Sequence, residues 1–252
     1  MPTLITFLLY ITIFLFGIVI GSFLNVCIYR IPKGESLIPG SHCMSCGHRL
    51  RWYDLFPVFS YLFLRGRCRY CGAHVSCQYP IIELCNGGLY LIVFMANGWE
   101  YSSILYCLMA SALLVIGVID ERTKEIPLPL NLWIGALGIV SCVLDFPDVA
   151  GHIAGMLCVS LPLYLLYVLT GGAAIGGGDI KLMAAAGLLL GWQNCLLAFF
   201  GACIIGSVCH VIRMKLTKTD HSLAMGPYLA AGIYLAALFG TRFLQWYIGM
   251  LM

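Results

Sequence analysis

Two aspartates and four cysteines are the residues of this 252-residue chain whose types and settings point most directly to chemistry. Asp120 closes one apolar run and opens the polar segment Asp120-Glu121-Arg122-Thr123-Lys124-Glu125-Ile126-Pro127. Asp179 follows Gly176-Gly177-Gly178 and opens another apolar run. Ionisable groups in or beside membrane helices are costly and mark functional sites. Two carboxylates that share a proton can activate water: the ionised one takes a proton from it, and the protonated one gives a proton to a substrate carbonyl. The glycines before Asp179 break a helix and let an extended peptide backbone come close. Taken singly, each acid also suits a boundary position solvated by headgroups, and Asp179 suits a helix N-terminus. The pair together with the glycine run favours catalysis.

The cysteines form a second constellation. Cys43-Met44-Ser45-Cys46-Gly47 and Cys68-Arg69-Tyr70-Cys71-Gly72 are two copies of C-x-x-C-G, with 21 residues between Cys46 and Cys68. Each turn aims two sulfurs at one point, and two such turns make a closed four-thiolate site suited to structural zinc. Arg51-Trp52-Tyr53-Asp54-Leu55-Phe56-Pro57 would form the body that the metal staples. His42, His48 and His74 flank the turns as substitute ligands. A redox pair or two disulfides is the other reading of these thiols; a reducing cytosol disfavours it.

Both constellations need elements to hold them. The chain is 61% apolar and 10% charged, with mean hydropathy +0.94, far from a soluble domain with one core. The net charge of +3 gives no case for nucleic-acid binding. Apolar runs at about 4–28, 82–98, 103–119, 130–144, 152–169, 180–192, 195–212 and 228–248 predict an all-α polytopic membrane protein of about eight transmembrane helices. Its expected parts are a first helix (1–29), a small zinc-binding loop domain (30–80) and a transmembrane core (81–252). The loop carries seven of the fourteen basic residues, Arg30, Lys33, Arg49, Arg51, Arg65, Arg67 and Arg69, which places it in the cytoplasm. Counting spans forward puts Arg122, Lys124, Lys181, Arg213, Lys215 and Lys218 on the same side, and with them Asp120 and Asp179. Gly17 and Gly21, Gly151 and Gly155, and Gly187 and Gly191 are spaced for close helix packing in lipid.

These motifs together resemble the type IV prepilin peptidases, membrane aspartic proteases of the GxGD type. The blocks that carry the likeness run in order along nearly the whole chain. They are Gly21-Ser22-Phe23-Leu24-Asn25-Val26-Cys27-Ile28-Tyr29-Arg30-Ile31-Pro32, the two cysteine pairs, Tyr79-Pro80-Ile81-Ile82-Glu83-Leu84, Asp120 with Ile126-Pro127, Gly176-Gly177-Gly178-Asp179-Ile180-Lys181, and Met225-Gly226-Pro227-Tyr228. The resemblance implies a bacterial inner-membrane enzyme that cuts the basic leader from a prepilin or pseudopilin after its last Gly. Asp120 and Asp179 would be its catalytic pair, and Cys43, Cys46, Cys68 and Cys71 its zinc ligands. It also implies N-methylation of the new N-terminus with S-adenosylmethionine. No G-x-G-x-x-G follows a strand, so a pocket for that cofactor must be of another kind; Glu83, between loop and core, is the nominated residue. A transporter using the acids as a cation path, or a thiol redox protein, are the alternatives.

Overall fold

The computed structural model of the protein describes residues 2–216 and 224–251; Lys218, counted above among the inward-facing charges, lies outside them. The described residues are helical, without strands beyond the single-pair bridges His42↔Arg49 and Arg67↔His74. Six helical stretches are long and apolar enough to cross a membrane: Thr3–Lys33, Gln78–Asn97, Tyr101–Thr123, Phe146–Leu169, Gly177–Leu216 and Gly226–Met250, with a shorter apolar helix at Leu128–Leu144. The chain divides into two compact units, Met1–Trp99 and Glu100–Met252.

In the first unit α1 (Pro2–Arg30) packs on α3 (Gln78–Asn97), with the short α2 (Phe59–Phe63) in the loop between them. A Cβ on Gly17 would sit 2.8 Å from the Gly87 Cα, and one on Gly21 would sit 2.7 Å from the Glu83 Cα. Only glycine permits this backbone approach, which supplies dispersion contacts that lipid cannot replace. Asn86, fully buried, donates its side-chain N–H to the Gly17 carbonyl at 2.7 Å. Leu4, Phe7 and Phe16 of α1 stay more than 60% exposed, as suits a helix whose solvent is hydrocarbon.

In the second unit α4 (Tyr101–Thr123), α5 (Leu128–Leu144), α6 (Val149–Cys158), α7 (Ser160–Leu169), α8 (Gly177–Leu216) and α9 (Gly226–Leu251) pack around Met109, Ile116, Leu182, Met183, Leu229 and Ile233. The runs 180–192 and 195–212, read as separate spans, form one 40-residue element interrupted at Gly191 (φ 77°, ψ 170°). The Cys195 thiol approaches the Met183 carbonyl at 3.8 Å. Twelve residues of straight helix would hold them about 18 Å apart, so the second leg doubles back on the first. Gly155 packs against Gly187 and Gly191 at the turn.

Candidate functional site

The four-thiol cluster is assembled by backbone hydrogen bonds within each knuckle. Cys43 N–H donates to the His48 carbonyl at 2.9 Å and Gly47 N–H to the Cys43 carbonyl at 2.9 Å; Cys68 N–H to Ala73 (2.8 Å) and Gly72 N–H to Cys68 (2.9 Å) repeat the pattern. Gly47 (φ 69°) and Gly72 (φ 72°) take the left-handed turn that closes each loop. The sulfurs of Cys43, Cys46, Cys68 and Cys71 all lie within 4.8 Å of one another, and Cys43 and Cys71 stand 3.8 Å apart. Zinc–thiolate bonds of about 2.3 Å in a tetrahedron require sulfurs about 3.8 Å apart, so the cluster fits the ion. The N–H groups of Cys46 and Ser45 pull the Cys43 thiol down to about 6. The Ala73 N–H acts in the same sense on Cys71, but loss of solvent and the three neighbouring thiols outweigh it and push that group to about 11. A divalent cation would turn this mutual repulsion into attraction.

The flanking histidines stand outside the cluster: His48 stacks on Tyr70 with centroids 3.7 Å apart, and His74 Nδ1 meets the Val75 carbonyl at 3.2 Å. Cys77, the fifth cysteine of the loop, meets the Tyr61 hydroxyl at 3.1 Å instead. Asp54, its side chain 3% exposed, ties the intervening body to the second knuckle. It accepts from Arg69 Nε (2.7 Å), Tyr70 hydroxyl (3.0 Å) and Arg51 N–H (3.2 Å). Burial alone would raise its carboxyl; these donors outweigh burial and hold it below the usual carboxylate range. Arg30, buried at the end of α1, pins the approach to the first knuckle through the Ser36 and Pro39 carbonyls at 3.1 and 2.7 Å.

Glu83 lies 5% exposed in the first two turns of α3. Its Oε2 accepts the Val58 N–H at 2.7 Å, and the Ser22 hydroxyl is a second partner. Val58 has φ 63° and ψ −53°, with Phe59 N–H bonded to the Pro57 carbonyl at 2.6 Å. That is a γ-turn of the rare, strained kind, at a β-branched residue. Apart from Pro57, no neighbouring residue type marks this turn.

In the second unit Asp120 sits in the last turn of α4, 4% exposed, and Asp179 is the third residue of α8, half-buried. The two carboxylates are within electrostatic reach of each other. Asp120 Oδ2 accepts the Gly226 N–H at 2.7 Å, from the start of α9. A Cβ on Gly226 would come within 2.6 Å of that oxygen, so any side chain there would have to displace the carboxylate or the helix start. The Asp179 carboxylate folds back over its own turn toward Gly176, whose N–H bonds it. Ile126 packs on Gly178, where a Cβ would meet it at 3.0 Å. Lys124, left-handed at φ 57°, caps α4 by donating its N–H to the Asp120 carbonyl, and Glu121 pairs with Arg213 at 3.0 Å.

Asn131, absent from the sequence reading, belongs to this site. It is 4% exposed on α5, and its Nδ2 donates to the Gly178 carbonyl at 3.5 Å. Its Oδ1 is buried without a partner among the described residues. The visible signal was an amide in the otherwise apolar Leu130-Asn131-Leu132-Trp133.

Known proteins match along most of the chain. Residues 15–97 match the Bacterial Peptidase A24 N-terminal domain and residues 107–211 the Type IV leader peptidase family. A Pseudomonas putida protein named prepilin leader peptidase/N-methyltransferase is 31% identical over 90% of this chain and 89% of its own length. Proteins of the same name from Burkholderia pseudomallei strain 1026b (34% identical, 90% of this chain, 84% of theirs) and Aeromonas salmonicida strain A449 (30%, 95% and 94%) match comparably. No solved structure is significantly similar.

Proposed function

Given that the chain belongs to the type IV leader peptidase family and is an enzyme, we propose that it removes the leader of a type IV prepilin or pseudopilin, after Gly, using Asp120, Asp179 and one water. The observation that carries this reading is that two acids 59 residues apart in sequence stand within electrostatic reach of each other. One, ionised, takes a proton from water as it attacks the scissile carbonyl and then gives that proton to the leaving amine; the other, protonated, gives one to the carbonyl oxygen and takes it back as the C–N bond breaks. The Gly226 N–H fixes the Asp120 rotamer, and the turn at Gly176–Gly178 leaves room beside Asp179 for the extended substrate backbone. Asp120→Asn and Asp179→Asn should each abolish cleavage of a prepilin leader peptide by the detergent-solubilised enzyme while it still inserts and holds metal. Cleavage retained by either variant would sink the assignment.

The Cys43, Cys46, Cys68 and Cys71 quartet would hold zinc as a staple of the loop, without an open coordination position. Metal analysis of protein purified under reduction should find about one zinc per chain. The distribution of Lys and Arg supports a bacterial inner-membrane protein with the acids at the cytoplasmic face. Counting α1, α3, α4, α5, the α6–α7 run, both legs of α8 and α9 gives eight crossings. Reporter fusions at Gly98 and Asp145 should therefore read as external. The enzyme then transfers a methyl group from S-adenosylmethionine to the new N-terminal amine. This reading is supported by the relatives' printed names and by the buried Glu83 carboxylate.

A further inference from the structure

The short helix α2 turns its apolar side away from the protein. Phe59, Leu62 and Phe63 recur at the spacing of one helix face and are all exposed, Phe63 to 84%. Phe56 extends the patch, its ring 5.7 Å from that of Phe59 between centroids. The inward residues Ser60, Tyr61 and Leu64 line the hollow between the loop and the membrane helices. A helix on a loop in water presents the opposite pattern. Large apolar side chains gathered outward mark a surface that meets lipid or protein.

The depth of α2 decides between the two. Its start is tied to α3, because the N–H of Val58 donates to Glu83 Oε2 at 2.7 Å. Glu83 is the sixth residue of α3, about 7.5 Å along the helix axis from Gln78. The 20 residues of α3 rise about 30 Å, the thickness of the hydrocarbon core alone. The helix therefore has no length to spare, and Glu83 lies at or inside the headgroup layer. The strained turn at Val58 holds α2 at that level. Arg51 and Arg65, both exposed, bracket the patch in sequence.

We propose that Phe56, Phe59, Leu62 and Phe63 insert into the headgroup layer on the loop's side of the bilayer, where Arg51 and Arg65 pair with anionic phospholipid. Apolar side chains at this depth reach the acyl boundary, as those of an interfacial helix do. The occupant is lipid and not the prepilin of the preceding reading. A basic leader would meet seven Lys and Arg residues in the loop, whereas anionic headgroups complement them. Docking gives the loop a third anchor besides α1 and α3.

Photocrosslinking of the full-length enzyme in phosphatidylglycerol nanodiscs tests the contact. The photoreactive p-benzoylphenylalanine in place of Phe63 should form lipid adducts, as it should in place of Phe7, which is exposed on α1 and serves as the positive control. An aromatic group replaces an exposed aromatic group, so the loop keeps its fold. Lipid adducts from position 7 with none from position 63 overturn the proposal. So does a dominant adduct of position 63 with a second copy of the chain or with added prepilin. Hydrogen exchange of the amides of residues 59–64 then reads the charge contribution. In phosphatidylglycerol, Arg65→Gln should lower the ratio of docked to undocked loop about fivefold, equivalent to about 1 kcal/mol. In phosphatidylcholine the same variant should exchange like wild type. Equal exchange by variant and wild type in phosphatidylglycerol, or the same loss in both lipids, overturns the pairing with anionic headgroups.

Discussion

The four-thiol body and the two-acid site are built in opposite ways. In the first, each of two five-residue knuckles aims its own pair of sulfurs, and Cys43 and Cys71 are 28 residues apart. In the second, no short motif positions either acid. Asp120 is held by an N–H 106 residues further along the chain, and Asp179 is brought to it by the packing of α4, α5, α8 and α9. Local geometry makes the metal site a matter of spacing, whereas the acid site exists only when helices pack. The two should therefore fail differently when cut.

The largest effect expected is a double dissociation. Asp120→Asn or Asp179→Asn should lower leader cleavage by at least about 10³-fold, in the upper range for loss of a general acid or base, with zinc content unchanged. Cys43→Ser or Cys68→Ser should release the zinc and expose residues 41–77 to proteolysis, because binding energy at such a site is folding energy. Zinc lost from an Asp variant would contradict the independence of the two sites.

Gly226→Ala tests the long-range link. Its methyl group would arrive 2.6 Å from Asp120 Oδ2, so the carboxylate or the start of α9 must shift. Misplacement of about 1 Å costs about 100-fold in rate, and kcat should fall by that order while zinc binding persists. Wild-type kcat in this variant would show that the Gly226 contact does not position the acid.

Asn131→Leu separates structure from function within the same site. An unpartnered buried acceptor destabilises, and the Nδ2 donation lost with it is long at 3.5 Å, so the melting temperature should change little or rise. If Oδ1 serves the reacting water or the substrate backbone, kcat/KM should nevertheless drop about tenfold, equivalent to about 1.4 kcal/mol of transition-state binding. A stabilised variant with full activity would make Asn131 a packing residue only.

The same contrast decides what was legible in the sequence. The cysteine quartet could be read from spacing because each knuckle is specified by its own residues. The acids could be singled out because charge at a membrane boundary is rare, and the glycine pairs at 17/21 and 151/155 could be read as packing because small residues have few other uses in spans. Asn131, the Gly226 contact and the Val58 turn could not. Each depends on a group supplied from elsewhere in the chain: the Gly178 carbonyl 47 residues from Asn131, the Gly226 N–H, and the Glu83 carboxylate 25 residues from Val58. The reversal between the runs 180–192 and 195–212 was legible, but its placement at Gly191 was not. A glycine among Leu, Trp and Ala reads equally well as helix interior, and only its φ of 77° marks the turn.

The smallest effect expected lies in the loop body, where Asp54 joins Arg69, Tyr70 and the Arg51 N–H. Arg69 is about half exposed, so solvent screens the ion pair and much of the contribution comes from the hydrogen bonds. Asp54→Asn should lower the unfolding midpoint of the zinc-loaded protein by only a few degrees. The sign of the pH dependence follows from the depressed carboxyl. A group whose folded value lies below its unfolded value, about 3.9 for Asp, stabilises fully above the unfolded value and loses that contribution as pH falls through the folded one. Between pH 6 and pH 8 the carboxylate is ionised in both states, so the gap between wild type and Asp54→Asn should be constant across that window. A gap that widened or closed within it would mean that some other group, such as a zinc-bound thiolate, is titrating with the clamp, and the two halves of the loop body would then be coupled through the metal rather than through Asp54.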